Sequence, residues 1–517
     1  MNQEFELIAK TFEGLEEVLA QELTELGAGN IEIGRRMVSF TGDKAMMYKA
    51  NFCLRTAIRI LKPIKHFTAT TPDEVYDTVK SIHWEEYMDP DGSFAVDSVV
   101  FSEVFRHSKF VAYRVKDAIA DYFREKTGER PSVRISNPDI QLNIHIAENE
   151  CTLSLDSSGE SLHRRGYRQE QVEAPLNEVL AAGIILLTGW KGDCDLIDPM
   201  CGSGTIPIEA ALIARNIAPG IFRKEFGFEK WKDFDKDLFD AIYNDDSEER
   251  EFTHKIYGYD NNLKANAIAQ ANVKAAGVSK DVVLKIQPFQ QFEQPAEKSI
   301  IIMNPPYGER ISSDNLMELY EMIGERLKHA FVGNEAWVLS YREECFDQIG
   351  LKASVKIPLY NGSLECQLRQ YQIFSGKYKE FRTDNPDKEF KPRKEEYPAR
   401  NRHHGEKVEY RRRDRDDRPR DDRRQSDDYR RPRRDREGSR WDDERPAFRT
   451  RRAGDGKDFT RERKSGFKYK DEPKPEPRPS TDDGRPKQQL AQRFMYMHKR
   501  RTPSDLEREM DNPKDKE

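Results

Sequence analysis

The sequence Asp195-Leu196-Ile197-Asp198-Pro199-Met200-Cys201-Gly202-Ser203-Gly204-Thr205 runs from a short apolar strand into a glycine turn, and an apolar helical stretch, Ile206–Asn216, follows. Gly202 and Gly204 lack a Cβ, so the backbone can approach a ligand closely. The first turn of the helix presents N–H groups without helical partners. This stretch predicts a nucleotide-type pocket. It lacks the third glycine of a dinucleotide fingerprint and the Gly-Lys-Ser/Thr of a phosphate loop, which disfavours both of those sites.

Apolar strand patterns alternate with helical stretches on both sides of this turn. A helix is predicted over 175–188, and strands are predicted at 195–197, 256–259, 282–286, 300–303, 336–340 and 370–374. This alternation is typical of an α/β fold with a mostly parallel, doubly wound sheet. Ligands of such sheets bind at the carboxyl ends of the strands. The residues that follow each strand are therefore the candidate site residues.

The second strand ends at Tyr259-Asp260-Asn261. A carboxylate at this place can accept hydrogen bonds from both hydroxyls of an adenosine ribose. Taken alone, Asp260 is more often the N-cap of a helix, here the stretch that begins near Leu263. Its position in the predicted sheet favours the ligand role.

The fourth strand ends in Met303-Asn304-Pro305-Pro306-Tyr307. Two successive prolines fix the backbone and remove two donors, which leaves carbonyl oxygens free to accept. If the Asn304 side-chain oxygen and the Pro305 carbonyl accept both hydrogens of an exocyclic amino group, its lone pair can turn towards an electrophile while Tyr307 stacks on the ring. A rigid turn after a strand is the plain alternative, which the two motifs upstream disfavour.

In this order the three motifs resemble class I S-adenosylmethionine-dependent methyltransferases, and Asn304–Tyr307 is similar to the motif of the branch that methylates amino nitrogens. The resemblance implies S-adenosyl-L-methionine as cofactor. A methyl transfer from a sulfonium needs no strong general base, because positioning is most of the task. The motif also occurs in enzymes that act on adenine N6 and on glutamine side chains, so it indicates the reaction more firmly than the substrate. The expected catalytic residues are Asn304, Pro305, Pro306 and Tyr307, and the expected cofactor-binding residues are Asp198, Pro199, Cys201, Gly202, Ser203, Gly204, Thr205, Asp260, Asn261, Gln287 and Asn304.

Three further stretches resemble the large-subunit ribosomal RNA guanine-N2 methyltransferase L family. They are the connector 164–168 with 174–178, the insertion that runs from 218 to 231, and the late segment 360–366. Members of this family pair a THUMP RNA-binding domain with the catalytic domain, and residues 5–376 match that arrangement. The resemblance implies methyl transfer to N2 of a guanine in 23S ribosomal RNA. Many relatives carry an acidic residue after the third strand to hold the adenine amino group, whereas this chain has Gln287, whose side-chain oxygen is the expected substitute.

Two small α+β units precede the catalytic domain. The expected domains are a ferredoxin-like unit over 1–66, a THUMP-like RNA-binding domain over 67–158, the methyltransferase domain over 159–376 and a disordered charged tail over 377–517. Basic residues crowd the start of the helix predicted at 109–126, where RNA contact and a simply solvated face both stay open. This basic cluster comprises Arg106, His107, Lys109, Arg114 and Lys116. The expected RNA-binding residues are Arg106, His107, Lys109, Arg164 and Arg165.

The near-neutral net charge of −6 conceals an acidic body and a basic tail. Residues 377–517 hold 45 lysines and arginines against 34 acidic residues, a net of +11, which leaves −17 for residues 1–376. The tail has almost no aliphatic residues and no helical or strand period, so we expect disorder. A basic, arginine-rich tail can hold a polyanion without reading its sequence. A mixed-charge solubilising tail is the alternative.

Neither a secretory signal nor a membrane-spanning segment is predicted, because the longest apolar stretch, Val179–Leu187, is too short to cross a bilayer. We therefore expect a cytoplasmic protein. Its six cysteines lie far apart without a Cys-x-x-Cys pair, so we expect reduced thiols and no metal.

Two other functions are compatible with these patterns. A transfer RNA guanine-N2 or an adenine-N6 methyltransferase keeps the chemistry and changes the substrate. A non-catalytic RNA-binding ribosome-assembly factor belongs to another class, and the intact Gly202, Gly204, Asp260 and Asn304–Tyr307 argue against it.

Overall fold

The computed structural model describes residues 4–294, 298–306 and 313–374. Residues 5–156 form one eight-stranded sheet in the order β2-β3-β1-β4-β8-β7-β5-β6. Its strands are β1 (Phe5–Lys10), β2 (Gly29–Gly34), β3 (Met37–Gly42), β4 (Arg59–Thr68), β5 (Ser93–Phe101), β6 (Ser132–Val133), β7 (Ile140–Ala147) and β8 (Glu150–Asp156). Its helices are α1 (Glu16–Glu25), α2 (Lys44–Cys53), α3 (Pro72–Lys80) and α4 (Ser108–Thr127).

Strand β4 joins the two parts of this sheet. It pairs antiparallel with β1, where Leu61 faces Ile8, and antiparallel with β8, where Leu61 faces Asp156. The hydrogen-bonded ladder therefore continues across the boundary expected near residue 66.

The second half of the described chain forms a seven-stranded sheet in the order β11-β10-β9-β12-β13-β15-β14. Its strands are β9 (Asp195–Asp198), β10 (Ile256–Asp260), β11 (Val282–Ile286), β12 (Ser299–Met303), β13 (Glu335–Ser340), β14 (Val355–Asn361) and β15 (Leu364–Gln372). The helices are α5 (Glu178–Leu187), α6 (Thr205–Ala214), α7 (Lys236–Asn244), α8 (Leu263–Ala275), α9 (Ser313–Ala330) and α10 (Glu343–Gln348). Strands β9 to β13 pair in parallel, which confirms the predicted doubly wound α/β fold.

The chain order reverses at β9, which lies between β10 and β12. Ligands of doubly wound sheets bind in the crevice outside the carboxyl ends of the strands at such a reversal. The fold therefore predicts a ligand site at the ends of β9, β10 and β12.

Helix α5 shows how local sequence and packing join the two halves. The Asn177 side chain accepts hydrogen bonds from the N–H groups of Val179 and Leu180, which fixes the first turn. The helix is apolar on all sides and mostly buried. A Cβ at Gly183 would lie 2.5 Å from Leu15 Cδ1, so α5 packs closely against the N-terminal half here and a larger residue would displace the Leu15 side chain.

The edge of the second sheet differs from the prediction. The sequence suggested a last strand at 370–374, but β15 begins at Leu364 and pairs antiparallel with β14, which was not predicted. Buried Cys366 and Leu368 alternate with partly exposed residues such as Gln367. This two-residue period marks a half-buried strand and was overlooked because charged residues interrupt the apolar run.

Candidate active site

The loops after β9, β10 and β12 meet at one edge of the sheet, as the strand order requires. Asp198 is the last residue of β9, Asp260 is the last residue of β10, and Asn304 directly follows β12. Because the three strands are parallel neighbours, their carboxyl ends lie side by side. The three residues singled out from sequence therefore border the same crevice.

The glycine loop, residues 201–205, is held in a fixed conformation at this edge. Gly202 and Gly204 have φ angles of +54° and +81°, a left-handed backbone that favours glycine. The N–H of Cys201 donates to the Tyr259 carbonyl at 2.8 Å, and the N–H of Gly204 donates to the Cys201 carbonyl at 2.8 Å. A Cβ at Gly202 would meet no atom within 4 Å. The loop therefore leaves room on the Gly202 side for a ligand.

Asp260 contacts the loop directly. One carboxylate oxygen accepts from the Gly202 N–H at 3.0 Å, and the other accepts from the Asn262 N–H at 2.8 Å. Asn262 itself caps α8 and accepts from the N–H groups of Lys264 and Ala265. The N-cap alternative for Asp260 is therefore wrong, and its carboxylate keeps further lone pairs for a ligand.

Asp198 is a carboxylate in the interior, with 1% of its surface exposed. It accepts one hydrogen bond, from the Met200 N–H at 3.2 Å. Burial raises its pKa well above the usual range, and the nearby Asp260 carboxylate adds to the shift. A ligand cation at this place would lower the cost of ionising it. The neighbouring Pro199 and Cys201 are buried, and burial also raises the pKa of the Cys201 thiol.

Asn304 carries an unsatisfied acceptor. Its side-chain Oδ1 is buried and has no hydrogen-bond partner among the described residues. An orphaned buried oxygen costs free energy, on the order of 1–3 kcal/mol, unless a ligand supplies a donor. Pro305 is buried and Pro306 is exposed. Tyr307 lies outside the described residues.

Gln287 and Asn261 lie at the rim of the same edge. The Gln287 N–H donates to the Asp260 backbone carbonyl at 3.0 Å, which places Gln287 next to the end of β10. Its Nε2 donates to the Gln291 carbonyl at 2.7 Å, so the side-chain oxygen is the group left to accept from a ligand. Asn261 is exposed next to Asp260.

The expected RNA-binding residues fall into two groups. Arg106, His107 and Lys109 are exposed at the start of α4, and Arg164 is exposed with an ion pair to Glu160 at 2.7 Å. Arg165, by contrast, is 2% exposed.

The structure corrects the prediction for Arg165. Its guanidinium donates to the carbonyls of Leu162 and Arg55 and lies 3.6 Å from the Glu209 carboxylate, which is fully buried. A charge so enclosed by protein partners has no access to RNA. Its role is to join the connector to α6 and to the N-terminal half.

Two side chains that the sequence did not single out support the glycine loop. Arg168 donates to the hydroxyls of Ser203 and Thr205, each at 2.9 Å. Asn272, buried on α8, donates to the Ser203 carbonyl at 3.1 Å. Arg168 lies in the connector, but no local signal in the sequence indicates that it reaches a loop more than thirty residues away.

The arrangement fits an adenosine-type ligand with a charged end. Asp260 and Gln287 offer acceptors at one end of the crevice, the open side of Gly202 accommodates the ligand, and Asp198 offers a buried carboxylate for a cation. Within the described ranges, no three His, Cys, Asp or Glu side chains are grouped as metal ligands. No helix in the same ranges is both long and apolar enough to cross a bilayer.

Three family models match the chain. An RlmL ferredoxin-like domain matches residues 6–61, a THUMP domain matches 69–156, and an RMKL-like methyltransferase domain matches 165–370. With the doubly wound sheet and the loops at its reversal point, these matches define a class I S-adenosylmethionine-dependent methyltransferase fold.

Similar proteins and solved structures indicate which group of methyltransferases this chain resembles. A ribosomal RNA large subunit methyltransferase K/L of Syntrophotalea carbinolica is 40% identical over 400 residues, which are 75% of this chain and 56% of that protein. The solved structure of SMU.472 in complex with S-adenosylhomocysteine is 31% identical, with a TM-score of 0.65, and the match covers 73% of this chain and all of that one. A predicted N6-adenine-specific DNA methylase of Listeria monocytogenes is 32% identical, with a TM-score of 0.65, over 72% of this chain and 97% of that one. The chain belongs to the RMKL-like methyltransferase family, as the resemblance predicted, and spans little more than half the length of the K/L relative.

Proposed function

We propose that this protein transfers a methyl group from S-adenosylmethionine to the exocyclic N2 of a guanine in RNA, with large-subunit ribosomal RNA as the substrate. The observation that carries the proposal is the buried, unpartnered Oδ1 of Asn304 at the end of β12. An acceptor held dry and unsatisfied in the free protein fits an amino group that brings its own N–H donor. The K/L name of the 40% identical relative supports ribosomal RNA as the substrate.

Asn304 and Pro305 prepare the acceptor nitrogen. A ring-bound amino group is a poor nucleophile, because its lone pair is delocalised into the ring. When Asn304 Oδ1 and the Pro305 carbonyl each accept one N–H, the nitrogen pyramidalises and its lone pair turns out of the ring plane. Fixed dipoles at such a site can contribute about a hundredfold or more to the rate. Tyr307 would stack on the base, although it lies outside the described residues.

Asp260, Gly202 and Asp198 hold the methyl donor. Asp260 would accept from ribose hydroxyls while it keeps its bond to the Gly202 N–H, and the buried Asp198 would hold the ammonium group of the methionine part. When bound, S-adenosylmethionine supplies a methyl group on a sulfonium, whose carbon–sulfur bond breaks as the bond to nitrogen forms, and the surplus amine proton passes to solvent. The described side chains therefore need only to position the reactants.

The start of α4 offers a surface for RNA. Its exposed basic residues stand among aromatic rings that are also exposed, with Phe101 at 65%, Phe110 at 52% and Tyr113 at 56%. Lys116 Nζ lies 5.5 Å from the centre of the Tyr113 ring. Cations that neutralise phosphates and rings that stack on unpaired bases are the usual elements of RNA recognition. We assign this surface to docking of the RNA, whose target base must leave its stack to reach the crevice.

The proposal is tested by methylation of RNA from cells that lack the protein. Purified protein, labelled S-adenosylmethionine and total RNA are incubated, and the labelled nucleoside is identified after digestion. We expect N2-methylguanosine in large-subunit ribosomal RNA, and no label with Asn304→Ala. Label in transfer RNA would change the proposed substrate to transfer RNA and leave the proposed methyl transfer to guanine N2 unchanged.

Adenine N6 is the second candidate acceptor. The Asn-Pro-Pro motif serves any exocyclic amino group, and the Listeria monocytogenes neighbour is named for N6-adenine methylation of DNA. Label in N6-methyladenosine would show that the protein methylates adenine N6 and not guanine N2. A non-catalytic assembly factor would bind no S-adenosylhomocysteine in a calorimeter, and that result would reject the enzyme altogether.

A further inference from the structure

The connector up to Arg168 is held in place although it links two sheets. Arg223 donates to the carbonyls of Glu160, Arg164, Ser161 and Ser158 at 2.7 to 3.2 Å. A Cβ at Gly166 would lie 2.2 Å from the Phe222 carbonyl oxygen. The connector therefore packs as part of the folded body, and its C-terminal part reaches the glycine loop in a defined position.

Arg168 reaches the glycine loop from this connector. One terminal nitrogen donates to Ser203 Oγ and the other to Thr205 Oγ1, each at 2.9 Å, while Nε donates to the Glu178 carboxylate at 2.7 Å. The second terminal nitrogen also donates to the Leu176 carbonyl at 3.3 Å. The planar guanidinium matches two hydroxyls at once, a geometry that lysine cannot reproduce.

Asn272 holds the same loop from the opposite element. Its Nδ2 donates to the carbonyls of Ser203 and Glu170 at 3.1 and 3.0 Å, and its Oδ1 accepts from the Gln169 N–H at 2.8 Å. The side chain is fully buried, and its bond to the Ser203 carbonyl forms away from water. Ser203 is thus fixed through its hydroxyl by Arg168 and through its carbonyl by Asn272.

We infer that Arg168 and Asn272 are positioning residues that hold the glycine loop in the shape that binds the methyl donor. The inference rests on the proposed function. Gly202 and Gly204 lack side chains that could restrict the loop, so contacts from outside must remove its conformational freedom before the ligand arrives. Without these contacts the loop is ordered only when the methyl donor binds. The entropy lost in that ordering then lowers the affinity for the donor. The chemical step depends on Asn304 and is little affected at saturating donor.

The test compares Arg168→Gln with Arg369→Gln. Arg369 is a buried arginine, whereas Arg168 is partly buried, and each is paired with a glutamate. The Arg369 guanidinium lies 3.9 Å from the Phe346 ring centre, but Arg369 is on β15, three strands from β9. The dissociation constant of S-adenosylhomocysteine is measured by calorimetry, and KM for S-adenosylmethionine and kcat are measured with RNA. For Arg168→Gln we expect both the dissociation constant and KM to rise about tenfold or more, with kcat within about threefold of wild type. Arg369→Gln should leave the dissociation constant within about twofold.

A double-mutant cycle that combines Arg168→Gln with Thr205→Val tests whether Arg168 affects donor affinity through the glycine loop. Valine keeps the shape of threonine and removes only the hydroxyl that Arg168 contacts. If Arg168 acts through the loop, the effects on the dissociation constant are not additive in the double variant. Additive effects, or an unchanged dissociation constant in Arg168→Gln, would overturn the inference. Absence of binding by the wild type would instead reject the proposed function, and this inference with it.

Discussion

The Asp260 carboxylate accepts a hydrogen bond from the Gly202 N–H at 3.0 Å, which ties the loop after β10 to the loop after β9. A single side chain therefore stabilises the glycine loop and offers acceptors to a ligand. Two residues further on, Asn262 has a purely local role as the cap of α8. Substitutions of Asp260 and Asn262 can therefore distinguish an effect on ligand affinity from an effect on the free energy of unfolding.

Asp260→Ala should weaken S-adenosylhomocysteine binding by about tenfold or more, because it removes both the contact to the Gly202 N–H and the proposed ribose acceptor. Asn262→Ala should lower the free energy of unfolding by about 1 kcal/mol through the lost cap and leave affinity within about twofold. Calorimetry and urea unfolding of both variants check this. Equal losses of affinity would contradict the separate roles.

Asn304→Ala should lose activity without losing stability. The substitution removes a buried oxygen that has no partner among the described residues, so the free energy of unfolding should stay the same or rise. The affinity for S-adenosylhomocysteine should stay within about threefold, and kcat should fall about a hundredfold or more. Turnover assays and thermal unfolding measure the two effects. A stable variant with normal kcat would refute the proposed mechanism.

Asp198→Asn should stabilise the free protein in a pH-dependent way. Because burial raises the pKa of Asp198 in the folded state, its favourable contribution is complete below the unfolded pKa and is lost as the pH rises through the folded pKa. Asparagine cannot ionise, so the stability difference from wild type should be small near pH 4 and grow towards pH 8, to about 1 kcal/mol or more.

Urea unfolding without ligand at several pH values measures this difference. The exposed Asp117→Asn on α4 serves as the control and should change stability equally little across the range. A difference that shrinks as the pH rises would contradict the pKa direction. The same Asp198→Asn variant should bind S-adenosylhomocysteine more weakly, because a neutral amide attracts its ammonium group less.

Lys109→Glu should weaken RNA binding and leave binding of the methyl donor unchanged. Each phosphate contact releases counterions, so the slope of log affinity against log salt should fall by about one to two. Lys49→Glu on α2, also exposed, is the control and should affect RNA affinity much less. Filter binding at several salt concentrations checks this. Equal effects of the two variants would reject a specific role for the start of α4.

The parallel core of the second sheet was predictable because its evidence is local. The strands that carry the site are short apolar runs, and topology alone brings Asp198, Asp260 and Asn304 to one edge. By contrast, the environment of an arginine depends on partners that are distant in sequence. Arg165 is buried because Glu209 lies on α6, and nothing near either residue predicts that pairing.

The role of Arg168 was hidden for the same reason. Its connector resembles that of a known family, yet only the fold brings Arg168 to its partners Ser203 and Thr205. The missed β14 had a different cause, since its more buried Val355, Ile357 and Leu359 alternate with Lys356, Pro358 and Tyr360 at a sheet edge, where one face stays exposed to solvent. The environments of Arg165 and Arg168 depend on tertiary contacts, whereas β14 is marked only by a two-residue period in its own sequence.

The continuous ladder from β1 through β4 to β8 bears on how the protein can be shortened. Removing residues 1–66 would strip most of β4 and expose the edge of β8 that pairs with it, while the other edge of β8 stays paired with β7. Bare strand edges recruit strands of other molecules, so such a truncated chain should aggregate rather than persist as a small soluble module. We therefore expect the two segments that family models recognise separately to unfold as one cooperative unit.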